Sequence, residues 1–82
     1  MLSVLEMMEE AEKVLAYVKD KRDFIPSYDS GVVSIQIRDT NLVTFYPSRK
    51  IAEFPPKYNI EFEEQRRRIM ENLLELGYTI QK

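Results

Sequence analysis

Glutamates are the side chains in this sequence best suited by type to acid–base chemistry. Six of them cluster in two groups: Glu9, Glu10 and Glu12, and Glu61, Glu63 and Glu64. A hydrolase that uses two carboxylates needs them on opposite sides of a cleft, at a defined separation. Neighbours within one helical turn point to different sides of the helix and are mostly solvated. We therefore expect neither group to be catalytic.

The composition excludes most other chemistries. The chain of 82 residues contains no His and no Cys. Without His it lacks the commonest general base near neutral pH and the commonest ligand for transition metals. Without Cys it has no thiolate nucleophile and no disulfide. Two glycines cannot form a phosphate-binding loop. The sequence predicts a protein that is not an enzyme and needs no cofactor and no metal ion.

Positive charge is most concentrated in the run Arg66-Arg67-Arg68. Three consecutive helical residues spread around most of the helix, and two of these arginines follow a Glu by four residues. We interpret the run as a solvated helix face. The alternative is a nucleic-acid-binding module that uses scattered basic residues: Arg38, Arg49, Lys50, Lys57 and Arg66. Nucleic acid is the less favoured partner, because the formal net charge is −2.

Four tyrosines lie beside predicted strands and turns: Tyr28, Tyr46, Tyr58 and Tyr78. Tyrosine is enriched in protein interfaces because it buries a large area and keeps a polar tip. Two readings remain open: each tyrosine covers the edge of a small core, or together they form a partner-binding surface. The leading hypothesis is a small non-catalytic protein that binds another protein or a second copy of itself.

A β-hairpin over residues 31–47 is the clearest element. Val33, Ile35 and Ile37 alternate with polar residues, which is typical of a strand with one buried face. Residues 42–46 predict the second strand, and residues 39–41 the turn between them. The polar face of the first strand, which includes Ser34 and Gln36, is expected to meet solvent or a partner.

Two amphipathic helices are predicted on either side of the hairpin. The first covers residues 3–22 and begins with a Ser3–Glu6 capping box. Its apolar stripe consists of Val4, Leu5, Met8, Ala11, Leu15 and Val18. The second covers residues 60–76, between an N-cap at Asn59 and Gly77 at the C′ position. Its stripe consists of Phe62, Ile69, Leu73 and Leu76, broadened by Met70 and Leu74.

The remaining segments complete the predicted fold. Residues 23–30 predict a connector, because Pro26 disfavours helical dihedrals in the preceding residue. Residues 49–54 fit a short strand with Ile51 in the core as well as they fit a loop, and residues 78–81 predict a closing strand. The order α-β-β-(β)-α-β predicts one α+β domain over residues 1–82, with a mostly antiparallel sheet and both helices on one face.

The sequence also gives an expectation about location. The N-terminus lacks the basic start and long apolar run of a signal peptide. No stretch approaches the roughly 18 apolar residues of a membrane span. We expect a cytoplasmic protein without a membrane partner.

Overall fold

In the part of the chain that the structure describes, five strands and two α-helices build the fold in the order α-β-β-β-β-α-β. The structure is a computed structural model and describes residues 3–81. The elements are α1 Val4–Val14, β1 Phe24–Asp29, β2 Val32–Ile37, β3 Thr40–Tyr46, β4 Ile51–Glu53, α2 Glu63–Glu75 and β5 Thr79–Gln81. The strands form one sheet in chain order, in which only β4 and β5 are parallel neighbours. The predicted α+β class with a mostly antiparallel sheet is confirmed.

One face of the sheet is buried beneath the helices. Val33, Ile35 and Ile37 of β2 are at most 3% exposed, as the alternation predicts. Val33 pairs with Phe45 of β3, which pairs with Ala52 of β4. Residues directly opposite each other share a face, so this row belongs to the core. Helical side chains complete the same core: Met7, Ala11, Val14, Ile69 and Leu73.

The other face of the sheet is covered by no helix among the described residues. Ser34 lies opposite Ser27 on one side and opposite Thr44 on the other. Ser34 and Thr44 place their hydroxyl oxygens 3.4 Å apart, and Gln36 is exposed. Thr44 in turn lies opposite Glu53 of β4. The predicted polar face is therefore a continuous surface across β1 to β4.

The first helix is shorter than predicted, because it ends at Val14 rather than near residue 22. The side-chain amide of Asn72 in α2 donates to the carbonyls of Val14 and Ala16, both at 2.8 Å. A continuing helix would have used those carbonyls itself. The chain then turns through Tyr17 and Asp20, which both have positive φ.

The apolar stripe predicted for the first helix is confirmed at Ala11, Leu15 and Val18, which are buried, and is wrong at its start. Val4, Leu5 and Met8 are 45–65% exposed. Met7 and Val14 are buried as well, and together with Ala11 they occupy the i, i+4 and i+7 positions of an adjacent stripe. The prediction failed at the start of the helix because apolar residues lie along both stripes, and periodicity alone does not tell which stripe meets the sheet.

Residues 24–29, predicted as part of a connector, form strand β1. Pro26 suggested a break, but β1 lies at the edge of the sheet, where proline is tolerated. Ser30 and Gly31 connect β1 to β2, and both have positive φ, as a type I′ hairpin turn requires. Phe24 at the start of β1 is buried.

The predicted turn of the central hairpin is displaced by a β-bulge. The turn consists of Arg38 and Asp39, because Thr40 already pairs with β2. Ile35 pairs with Val43, whereas Gln36 pairs with Asn41, so one extra residue, Leu42, is accommodated in β3. The bulge allows both Leu42 and Val43 to be fully buried.

The C-terminal half follows the prediction closely. The strand considered for residues 49–54 is present as β4, although its buried residue is Ala52 and Ile51 is only half-buried. Helix α2 follows a 3-10 turn whose start is capped by Asn59, and Gly77 has a φ of +92° at its end. The predicted closing strand is β5. Neither helix of residues 3–81 is long and apolar enough to cross a membrane.

A partly buried polar cluster fixes α1 to the sheet. Lys50 Nζ and the Tyr78 hydroxyl both donate to Glu10 Oε1, at 3.0 and 2.9 Å. Burial raises the pKa of Glu10, but these hydrogen bonds and the charge of Lys50 lower it by more, so it lies below its ordinary value. Burial and the bond to Glu10 raise the pKa of Tyr78 far above its ordinary range.

The face assignment of β2 predicts unequal effects of two neighbouring substitutions. Ile35→Asp places an unpaired carboxylate in the core, which costs several kcal/mol, comparable to the stability of so small a domain. Gln36→Asp introduces the same group on the open face and is expected to change stability little. Thermal unfolding followed by circular dichroism measures both; equal losses would contradict the assignment.

The Glu10 cluster predicts a pH-dependent contribution to stability. Because the folded-state pKa of Glu10 is lowered, its carboxylate stabilises the fold above the unfolded-state pKa, and this contribution is lost as the pH falls through the folded-state pKa. Glu10→Gln is therefore expected to cost roughly 1 kcal/mol at neutral pH and progressively less in acid. Urea unfolding across this pH range measures the difference. The exposed neighbour variant Glu9→Gln is the control, and a loss that does not change with pH would contradict the account.

Candidate functional site

The glutamates form no acid–base pair in the described residues. Glu10 is engaged by Lys50 and Tyr78, while Glu9 and Glu12 are exposed. Glu61 accepts a hydrogen bond from Arg38 at 2.9 Å. No three acidic side chains within residues 3–81 come together as a metal site.

The basic residues named for nucleic-acid binding are spread over the molecule. Arg38 pairs with Glu61 and stacks near Phe62, and Lys50 pairs with Glu10. The guanidinium of Arg49 lies 5.6 Å from the ring centroid of Tyr46, and Lys57 is exposed. Their role in binding nucleic acid stays a prediction.

The arginine run spreads around α2 as the helical geometry predicts. Arg67 lies 3.9 Å from Glu63, the predicted partner. Arg68 lies 3.7 Å from Glu71, one turn later, rather than pairing with Glu64. Arg66 has no acidic partner among residues 3–81 and faces the edge of the sheet.

The four tyrosines do not share one surface. Tyr78 is 3% exposed and packs edge-on against Phe45, and Tyr28 packs against the core. Tyr46 lies on the open face, where its hydroxyl donates to Glu53 at 3.3 Å. Tyr58 lies in the loop before α2. A partner-binding role stays a prediction for these residues, and only Tyr46 and Tyr58 lie outside the core.

Strand β5 presents a free edge of the sheet. It pairs with β4 and has no second neighbour among the described residues. The N–H of Thr79 donates to the carbonyl of Lys50 at 2.8 Å, toward the β4 side. Because successive backbone groups alternate in direction along a strand, the N–H and C=O of Ile80 point to the free edge. One residue thus offers an unpaired donor and acceptor for another strand.

An apolar groove of about 470 Å³ lies between this edge and α2. We call it the β5 groove; its lining residues are Phe54, Arg66, Met70, Leu74, Ile80 and Gln81. Arg66, Met70 and Leu74 are spaced by four residues, so they form one row along the helix. Leu74 is 55% exposed, and Met70 is half-buried. The groove is therefore an accessible apolar surface directly beside a strand edge.

Arg66 lies at one end of the helical row, and its guanidinium is close to two aromatic rings. Its guanidinium carbon lies 4.2 Å from the ring centroid of Tyr58 and 5.0 Å from that of Phe54. Its Nε atom is buried and has no hydrogen-bond partner. The aromatic rings hold the guanidinium in place by cation–π contacts.

A second, shallower cavity of about 430 Å³ continues the surface onto the open face of the sheet. Phe54 and Gln81 line both cavities. Pro55, Pro56 and Tyr46 form part of the second one. The surface therefore wraps around the free edge and meets both faces of the sheet there.

The sequence contains a signal for this groove in Met70 and Leu74. Their spacing predicts a broadening of the buried stripe of α2, whereas the structure places both residues in the groove. Ile69 and Leu73 alone reach full burial on that helix. Apolar residues on more rows than one packing contact can bury indicate a second contact surface. Its position beside β5, however, requires the strand order.

Exposed apolar side chains also lie at the start of α1, namely Val4, Leu5 and Met8. Helix α1 packs against β1, the other edge strand of the sheet, which contains Pro26. No family model, curated protein or solved structure matches the chain. The candidate site is accordingly the β5 groove with its free edge, assigned from geometry alone.

Proposed function

We propose that this chain is a non-catalytic protein that acts by binding another protein, and that it takes an extended segment of that partner along β5. The observation that carries the proposal is the coincidence of a free strand edge with an apolar groove on the adjoining helix. In strand addition, backbone hydrogen bonds supply affinity and pockets for alternate side chains supply specificity.

The spacing of the groove suits an extended segment. The members of the row Arg66, Met70 and Leu74 are each about 6 Å apart along the helix axis. Alternate side chains of a β-strand repeat at about 6.6 Å. A segment hydrogen-bonded to Ile80 would thus direct every second side chain toward one member of the row.

The two edges of the sheet differ in how open they are to another strand. β1 contains Pro26 and ends with Asp29, and proline and charge are the features by which natural proteins block edges. The described part of β5, Thr79-Ile80-Gln81, contains neither. This contrast supports β5 rather than β1 as the binding edge.

A non-catalytic role is supported by how the titratable groups are used. The most perturbed pair, Glu10 and Tyr78, holds α1 against the sheet. The nucleic-acid alternative has less support, since Arg38 and Lys50 are paired with acids and the net charge is −2. The proposal keeps a cytoplasmic location for this activity.

The test is a selection of random peptides displayed on phage against the immobilised chain, followed by titration of the selected peptides. Leu74→Glu is expected to weaken binding at least about tenfold, because binding would then have to desolvate a charge against the apolar segment. The matched control is Leu5→Glu, another exposed leucine on a helix.

Leu5→Glu is expected to bind as the wild type does, and circular dichroism should show both variants folded. The proposal is contradicted if no peptide is selected. It is contradicted equally if the selected peptides bind Leu74→Glu normally and lose affinity for Leu5→Glu.

A further inference from the structure

Arg66 is the one arginine of the α2 run that lacks an acidic neighbour within residues 3–81. Arg67 and Arg68 lie within 4 Å of Glu63 and Glu71, respectively. Arg66 instead contacts the rings of Phe54 and Tyr58. No carboxylate of the described residues therefore lies within 4 Å of its guanidinium.

The donor capacity of Arg66 is also unused. Its Nε is buried without an acceptor, and the terminal nitrogens donate to no described group. Only Nε of this side chain is both buried and without a partner, so the terminal nitrogens keep contact with solvent. Arg66 also lines the β5 groove, so its side chain is close to whatever occupies that groove.

We propose that Arg66 binds a carboxylate, so that the segment in the β5 groove is an acidic–apolar peptide; this inference rests on the function proposed above. A guanidinium offers two parallel N–H donors that match the two oxygens of a carboxylate. Apolar surroundings strengthen such a pair relative to water. The aromatic contacts hold the plane of the guanidinium in place before binding.

The lining of the groove predicts the order of the carboxylate and the apolar side chains along the peptide. Arg66 stands at one end of the row and Leu74 at the other, about 12 Å away along the helix. An extended chain covers that distance in roughly four residues. The carboxylate and the farther apolar side chain of the peptide are therefore separated by about four residues, with a second apolar side chain over Met70 between them.

Two sources supply the same chemical group, namely an Asp or Glu side chain and the carboxylate at the C-terminus of the partner. Among residues 3–81, Arg66 is the one basic residue that lines the groove, and a single guanidinium suits a singly charged carboxylate. Phosphorylated motifs are recognised by clusters of arginines. A second copy of this chain that paired through the described β5 residues Thr79, Ile80 and Gln81 would bring no side-chain carboxylate to Arg66.

The experiment uses the peptides selected on the wild-type chain, each made in three forms. One form is unchanged, one has its acidic side chains replaced by the corresponding amides, and one has an amidated C-terminus. Each is titrated against wild type, Arg66→Met, Arg66→Lys and the control Arg67→Met, which changes an exposed arginine of the same helix. Sedimentation of the chain alone measures self-association.

Removing the carboxylate is expected to weaken wild-type binding about tenfold or more, as for a charge-assisted hydrogen-bonded pair. The same change should have little effect on binding to Arg66→Met, and Arg67→Met should behave as the wild type does. Arg66→Lys keeps the charge but loses the parallel donors, so an intermediate effect is expected. The form of the peptide that loses affinity identifies the source of the carboxylate.

If removal of the peptide carboxylate weakens binding to the wild type and to Arg66→Met equally, Arg66 only packs the loop against α2. That result would overturn this inference, while the function proposed above would stand. The inference would also be overturned if the selected peptides contained no acidic residues and their binding did not change when the C-terminus was amidated. A dimer of the chain that is abolished by Leu74→Glu would assign the groove to a second copy. Failure to select any peptide would overturn both proposals. If Arg66→Met does not fold, the effect of removing the carboxylate is compared between the wild type and Arg66→Lys instead.

Discussion

The side-chain amide of Asn72 makes the contact on which the arrangement of both helices depends. It donates to the carbonyls of Val14 and Ala16, so it ends α1 and fixes α1 against one flank of α2. At 100° per residue, Met70 lies on roughly the opposite side of α2 from Asn72. The flank of α2 that α1 leaves uncovered is therefore the flank that faces β5, and the groove follows from where α1 docks.

The parts of the fold that the sequence predicted are those set by local patterns. The alternation of Val33, Ile35 and Ile37 and the positive-φ position of Gly77 depend only on neighbours in the chain. The end of α1 could not be predicted in this way, because Asn72 lies 58 residues from Val14. β1 was missed because Pro26 is compatible with a strand only at an edge, and strand order is not a local property.

The candidate site shows the same division between local and distant information. The residue type of Tyr78 suggested an interface residue, but Tyr78 is buried and its hydroxyl donates to Glu10. Arg66 was named only as one member of a scattered basic set. Its distinction from Arg67 and Arg68 arises from the rings of Phe54 and Tyr58, which the intervening loop brings against α2.

Most of the polar side chains discussed above thus form hydrogen bonds that stabilise the fold. The side chain of Arg66 and the free edge of β5, in contrast, have no hydrogen-bond partner among residues 3–81. The central claim is that a partner segment completes the sheet at this edge. Amide hydrogen exchange of Ile80, measured by NMR with and without a saturating peptide selected on the chain, tests it most directly. We expect strong protection of the Ile80 amide on binding and little change at Thr79, whose N–H is already bonded to Lys50. An Ile80 amide that exchanges equally fast in the bound state would contradict strand addition.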